Sequence, residues 1–365
     1  MDGSSKKCYE TEFLYNDTTE FYADSVEWCP FSKYADYLAC GTYQLEETEV
    51  KSDETQTRKG GVTLYRLLCK EENVTLRKIY SYDSCGVLDM KWCPQLYGNC
   101  AYLIVACSSG QVLLLKLVDE ENSVSLKLES CQTLEKNTKN MVLSIDRSCE
   151  SEMNIIASDT LGSLNYLTLK DSSLLLLNRW KAHNFESWIC AFDYAQPHML
   201  FSGGDDCCFK GWDLRSLSSS IFVNKRHSMG VTAISKSTKR EHLLVTGSYD
   251  ENIFLWDTRS IKSPLSEVLV GGGVWRLKWH PYNPDYLLSA SMHNGFHVLS
   301  VTSDSLNIIS DYKKHESLAY GVDWCWLNAQ NDDPLKEFNS SSNKSNFVAS
   351  CSFYDKLLHV WKINL

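Results

Sequence analysis

The 365-residue chain lacks most features that would announce a chemistry. Its fifteen cysteines are many, but the number is odd, no Cys-x-x-Cys occurs and no His-rich tract adjoins one. A zinc ribbon, a thioredoxin-type site and a secreted disulfide framework are therefore poorly supported. The thiols are expected to be reduced and mostly buried. There is no surplus of positive charge, since 36 basic against 46 acidic residues leave −10. That argues against a binder of nucleic-acid phosphates and favours a basic partner or a cationic ligand. No apolar run approaches membrane length, and Val112–Val118 is only strand-sized. The polar stretch Met1–Glu10 has no apolar core of a secretion signal, so a cytoplasmic protein with no membrane partner is expected. Gly-x-Ser-x-Gly, His-Glu-x-x-His, Walker and Gly-x-Gly-x-x-Gly strings are missing, and no segment reads as a long amphipathic helix.

What the chain does have is internal repetition. Leu200-Phe-Ser-Gly-Gly-Asp-Asp206 through Trp212-Asp213 matches Leu244-Val-Thr-Gly-Ser-Tyr-Asp250 through Trp256-Asp257 at a period of 44 residues, and both continue to an arginine, Arg215 and Arg259. A third copy runs from Val348 to Asp355 and on to Trp361. A second element is a strand ending in Trp-x-Pro, at Trp28, Trp92 and Trp279, with Trp324 in the same slot. This is the signature of WD40 repeats, four strands per propeller blade.

Seven units begin near Asp24, Gly86, Met141, Trp188, Gly230, Gly273 and Tyr320, predicting a single all-β domain over residues 1–365, a seven-bladed WD40 β-propeller. The third unit, Met141–Leu169, lacks both the Trp and the turn Asp. The alternating segment Tyr9–Tyr15 is expected to close the last blade as its outer strand. Gln44–Lys59 (about 44–60) and Asn328–Asn346 (328–346) interrupt the period with polar sequence and are expected to be mobile surface insertions.

His183 lies 23 residues before Asp206 and His227 lies 23 before Asp250, with Ser202 and Thr246 four residues before each Asp. With Trp212 and Trp256 these sets are expected to form hydrogen-bond chains within a blade. Recurrence at identical spacing speaks against reading His183–Asp206–Ser202 as a catalytic triad. His293 and His297 lie across a turn and a strand, so no metal is expected there. Gly271-Gly-Gly273 precedes no helix and is expected to allow a tight bend. The residues just before the turn Asp, namely Asp205, Tyr249, His293 and Tyr354, are expected to point toward the axial opening. His293 stands out because Asn294 replaces the Asp and frees the histidine from scaffold duty. Trp188 and Trp275, which begin inner strands, could add aromatic faces.

Several longer strings go beyond the repeat. They include Ala182-His-Asn-Phe-Glu-Ser-Trp188, Lys225-Arg-His-Ser-Met-Gly-Val231, Gly272-Gly-Val-Trp-Arg-Leu-Lys-Trp-His-Pro281, Ser317-Leu-Ala-Tyr-Gly-Val-Asp-Trp324 and Ala23-Asp-Ser-Val-Glu-Trp-Cys-Pro30. Together they resemble the diphthine methyl ester hydrolases, also called diphthine methyltransferases, of the diphthamide pathway. The resemblance is dense at residues 23–44, 180–300 and 317–361. It implies removal of a methyl group, as methanol, from the methyl ester on the modified histidine of translation elongation factor 2, with no cofactor. Elongation factor 2 is then the protein partner, with other diphthamide-pathway enzymes as further candidates, and the chain is expected to act as a monomer. Such a substrate carries a quaternary ammonium, best held by aromatic faces, and an ester whose developing oxyanion needs donors. On that footing His293 is the candidate base, Trp188, Tyr249, Trp275 and Tyr354 the candidate cage, and Arg226 and Arg276 the candidate donors. The rival readings are a non-catalytic WD40 scaffold that presents elongation factor 2 to other enzymes, and a generic adaptor for ubiquitin or trafficking complexes.

Overall fold

In a computed structural model of the chain, residues 9–46, 57–70, 73–121, 123–136, 139–327 and 345–365 are described. The repeats predict what these residues form, seven four-stranded antiparallel sheets with no α-helix among them. The inner strands are Tyr22–Trp28, Val87–Trp92, Val142–Arg147, Ile189–Phe192, Val231–Lys236, Arg276–Trp279 and Ala319–Trp324, one for each of blades 1 to 7. Each inner strand touches the next, and the seventh touches the first, so the sheets stand around a common axis. The last sheet takes its outer strand from Thr11–Thr18, which pairs with Leu357–Asn364. Most of the two insertions, residues 47–56 and 328–344, lies outside the described residues.

Position within a blade explains each strand's composition. Second strands such as Tyr102–Cys107 face a neighbouring sheet on both sides and are buried throughout, hence their unbroken apolar run. Outer strands such as Asn73–Cys85 alternate buried and exposed at their start, the pattern of a half-solvated strand. The core therefore lies between blades. Ala39, Val62 and Leu64 of blade 1 pack on Val87, Met90 and Leu103 of blade 2. Close approach is enforced at Gly247, where a Cβ would lie 2.3 Å from Val274.

The repeated tryptophans tie neighbouring blades. Trp92, Trp279 and Trp324 each donate Nε1–H to a carbonyl of the preceding blade's inner strand, at Glu27, Ser235 and Lys278, all at 3.1 Å. Within blade 4, Trp212 Nε1–H donates to Ser202 Oγ at 2.8 Å. The hydroxyl then faces His183 Nε2 at 2.7 Å, and His183 Nδ1 faces Asp206 at 2.8 Å. Trp256, Thr246, His227 and Asp250 repeat the chain in blade 5 at 2.9, 2.8 and 2.9 Å. Ser202 is fully buried and both sides of its hydroxyl are engaged, which leaves it no access to a substrate. Blade 3, without the turn Asp, uses buried Asp159 instead, which takes Arg179 at 3.2 Å and Asn165 Nδ2 at 3.1 Å. Blade 6 also has a tie of its own, although Asn294 replaces the Asp. Ser289, Ser291 and His297 form a buried row at 2.7 and 3.1 Å, and Asn294 reaches both His297 and the Val270 carbonyl.

Candidate active site

Counting back from the Trp slot of each inner strand generates the central channel. The residue four positions earlier is Asp24, Leu88, Leu143, Trp188, Thr232, Trp275 or Tyr320, and all seven line one chamber of about 260 Å³. In blades 1, 2, 3 and 5 the sheet register shifts at this residue. A bulge breaks the alternation of the strand and turns one side chain off the sheet face. The residue one position before the slot is Glu27, Lys91, Asp146, Ala191, Ser235, Lys278 or Asp323, and all seven line a second recess, of about 160 Å³, at the other end.

Between the two lies Arg276. It is buried, donates to the Leu88 carbonyl at 2.8 Å and pairs with Asp89 at 3.3 Å, crossing from blade 6 to blade 2. Arg276 and Trp275 line both spaces, so the upper chamber, the cup, has a cationic floor.

The cup's wall is aromatic. Trp275 stacks on Tyr320 with ring centres 4.8 Å apart, Trp188 meets Trp275 at 5.9 Å, and Tyr249 stands perpendicular to Trp188 at 6.0 Å. Trp188 Nε1–H donates to Asp205 at 3.0 Å, which fixes the indole at the lip. Gly273 leaves the room this requires, since a Cβ there would sit 3.2 Å from the Tyr249 ring.

Asp24 is the only ionisable carboxylate in the upper ring and is 1% exposed. Oδ1 accepts from Trp275 Nε1 at 3.2 Å, while Oδ2 is buried with no hydrogen-bond partner. Burial pushes this carboxyl up to about 7, although Arg276 and the Trp275 N–H pull the other way.

The lower ring behaves differently. Glu27 takes Lys91 at 3.1 Å and also Lys278, Lys91 reaches Asp89 at 3.1 Å, and Lys278 lies 3.6 Å from Asp323. Burial works to raise Glu27, but Lys278 and Lys91 outweigh it and hold the carboxyl below its ordinary value. Three inner-strand carboxylates also accept a backbone N–H from the next blade: Asp323 from Trp28 at 2.8 Å, Asp89 from Ile145 at 3.0 Å and Asp146 from Phe192 at 2.8 Å.

Comparison with known proteins identifies the family. Residues 218–257 match the WD domain, G-beta repeat family model. The chain is 42% identical over 328 residues to a mouse protein named diphthine methyltransferase, covering 85% of this chain and 68% of the relative. It is 32% identical over 391 residues to a Dictyostelium discoideum diphthine methyltransferase homolog, covering 96% and 99%. The chain belongs to the diphthine methyltransferase family. A chain in the crystal structure of a mitotic checkpoint complex shares the propeller architecture alone, with a TM-score of 0.67 at 16% identity, over 99% of this chain and 95% of that one.

In this diphthine methyltransferase-family chain the residues singled out by sequence divide. Trp188, Tyr249, Trp275 and Arg276 line the cup. His293 and Tyr354 do not. They share a shallower recess with Lys313 and Glu316 that has no lining residue in common with the cup. The turn of blade 6 departs from its counterparts because Met292 adopts a φ of +30°, and Asn294 is drawn to the Val270 carbonyl. Tyr354 is 64% exposed, edge-on to Tyr22. Arg226 is farther off, its guanidinium over the Phe254 ring and 3.2 Å from Glu267 on the outer strand of blade 5. Sequence reading passed over Asp24, Tyr43, Tyr320 and Thr232 as site residues. The available signal was the fixed offset of four residues before the Trp slot, which reaches three of them.

Proposed function

We propose that this chain is a carboxyl methyl ester hydrolase that converts the diphthine methyl ester on translation elongation factor 2 to diphthine, in the diphthamide pathway. Family membership supports the pathway, through the names its relatives carry. The observation that carries the chemistry is the floored aromatic cup with one buried carboxylate. At about 260 Å³ it is below the roughly 300–1,000 Å³ of sites for drug-sized ligands, a size suited to one extended side chain and a water.

The aromatic faces of Trp188, Tyr249 and Trp275 suit a quaternary ammonium, which has no N–H to give and is attracted to ring faces at about 0.5–2 kcal/mol. Arg276 uses only part of its five-donor fork on Leu88 and Asp89, which leaves donors at the floor of the cup for a developing ester oxyanion. Around the lip, Phe185 and Met229 are 61% and 50% exposed on loops that lead into blades 4 and 5, apolar ground for a protein surface. The test is methanol release by the purified chain from elongation factor 2 bearing the methyl ester, with no other protein present. Turnover is the expected outcome. Tight binding without turnover would favour a presenting scaffold and overturn the reading.

A further inference from the structure

We infer that Asp24 is the general base of this reaction, its unpartnered Oδ2 drawing a proton from the water that attacks the ester carbonyl. The inference rests on the hydrolase reading above. Three observations carry it. Asp24 occupies the one ring position of seven whose side chain is a carboxylate, and a bulge between Ala23 and Ser25 directs it into the cup. Oδ1 is anchored by the Trp275 indole, which orients the group while leaving Oδ2 free. A buried acceptor without a donor costs free energy, and at Asp24, unlike at Trp28 Nε1 or Ser158 Oγ, the residue also lines the cup, where a water can supply the donor.

The groups that face Asp24 come from every neighbouring element, and the charged side chains Arg58 and Glu186 line the same cup. Arg276 lies below with Asp89 beyond it, and Tyr43, Tyr249 and Tyr320 surround it. The Cys40 and Cys351 thiols lie behind. Burial raises all three phenols and both thiols, Cys40 to about 12, so none of these ionises near neutrality. Asp24 alone among them, at about 7, changes state in the working range, where a base is most effective.

The step balances without a co-reactant other than water. The water oxygen bonds to the ester carbon as its proton passes to Oδ2, and the carbonyl electron pair moves onto oxygen beside Arg276. The pair then returns, the bond to the methoxy oxygen breaks, and the proton on Asp24 goes to that leaving oxygen. Methanol and a carboxylic acid result. The acid ionises to solvent, and Asp24 is a carboxylate again.

The experiment is methanol release by the full chain and its Asp24→Asn variant on methyl-ester elongation factor 2, from pH 5 to 9. For the parent chain, kcat/KM is expected to rise with pH and level off above about 7, because a base must be ionised. In Asp24→Asn, kcat is expected to fall roughly 100- to 10,000-fold with KM nearly unchanged, and the residual rate to lose that pH limb. The variant is expected to fold, since it removes a buried charge; circular dichroism checks this. An Asn variant that keeps its kcat, or that raises KM alone, overturns the assignment while leaving the hydrolase reading intact; the second result would make Asp24 a counter-charge for the cation. A parent chain that turns over but shows no limb near neutrality overturns it too, without relying on any variant. A parent chain with no turnover at all overturns both.

Discussion

The two ends of the channel are made by the same seven strands, three residues apart, and they solve opposite problems. At the lower ring five of seven side chains are ionisable, and Glu27, Lys91, Lys278 and Asp323 are paired with one another. At the upper ring Asp24 is the one carboxylate of the seven positions, with an oxygen left over, in a chamber that Arg276, Arg58 and Glu186 also line. The lower ring therefore locks blades together through its lysines, although burial still pushes Asp323 up to about 7 and raises Asp146. The upper ring leaves Asp24 unneutralised, and burial rather than pairing sets its proton affinity. Where buried carboxylates are bonded to lysines and backbone N–H groups they serve as scaffold; where one keeps an unpartnered oxygen beside empty space, chemistry has a place to happen.

The sharpest way to break this contrast is at the lower ring. Lys278→Met strips Glu27 and Asp323 of a shared cation, and loss of one partner of a buried pair costs about 3–5 kcal/mol. The denaturant midpoint is expected to drop accordingly, while kcat of the folded protein stays within about twofold of the parent. Next is Trp275→Phe, which keeps a ring but removes the N–H that favours ionised Asp24. The rising limb of the pH–rate profile is expected to move upward by about one pH unit, so activity at pH 7 falls and recovers at higher pH.

Smaller still is Trp188→Ala, expected to raise KM roughly 2- to 30-fold with little change in kcat, the worth of one aromatic face on a cation. The smallest effects are expected at Arg226→Ala and His293→Ala, each within about twofold of the parent in kcat/KM, because neither side chain lines the cup. A large loss at His293 would shift the active site to the neighbouring recess.

Most of the architecture could be read from the sequence because its determinants are local and repeated. A Trp ends the inner strand in four of the seven blades, and in three of them its bond to the blade before states what the strand leans on. Trp188 and Trp275 were noticed for starting inner strands, and that position is the upper ring. Asp24 was harder. Strict alternation puts it on the face of Val26, which packs into the core between blades 7 and 1. Only the bulge at Ala23–Ser25 turns it into the channel, and a one-residue register shift has no compositional mark. The choice of His293, Tyr249 and Tyr354 assumed that equivalent turns aim equivalent residues. Met292 and Asn294 break that equivalence in blade 6 through a single backbone torsion.

The strand Thr11–Thr18, seated against Leu357–Asn364, dictates when the cup can exist. The anchor of Asp24, Trp275, and its neighbour Tyr320 lie some 250 and 300 residues further along the chain, and the first strand waits for the last before the circle is whole. A chain halted short of residue 357 holds every wall residue but lacks the strand that seats Thr11–Thr18, so its ring stays open between blades 7 and 1. Closure of the ring and completion of the cup are thus one event, because the strand that shuts the last blade comes from the opposite end of the repeat series.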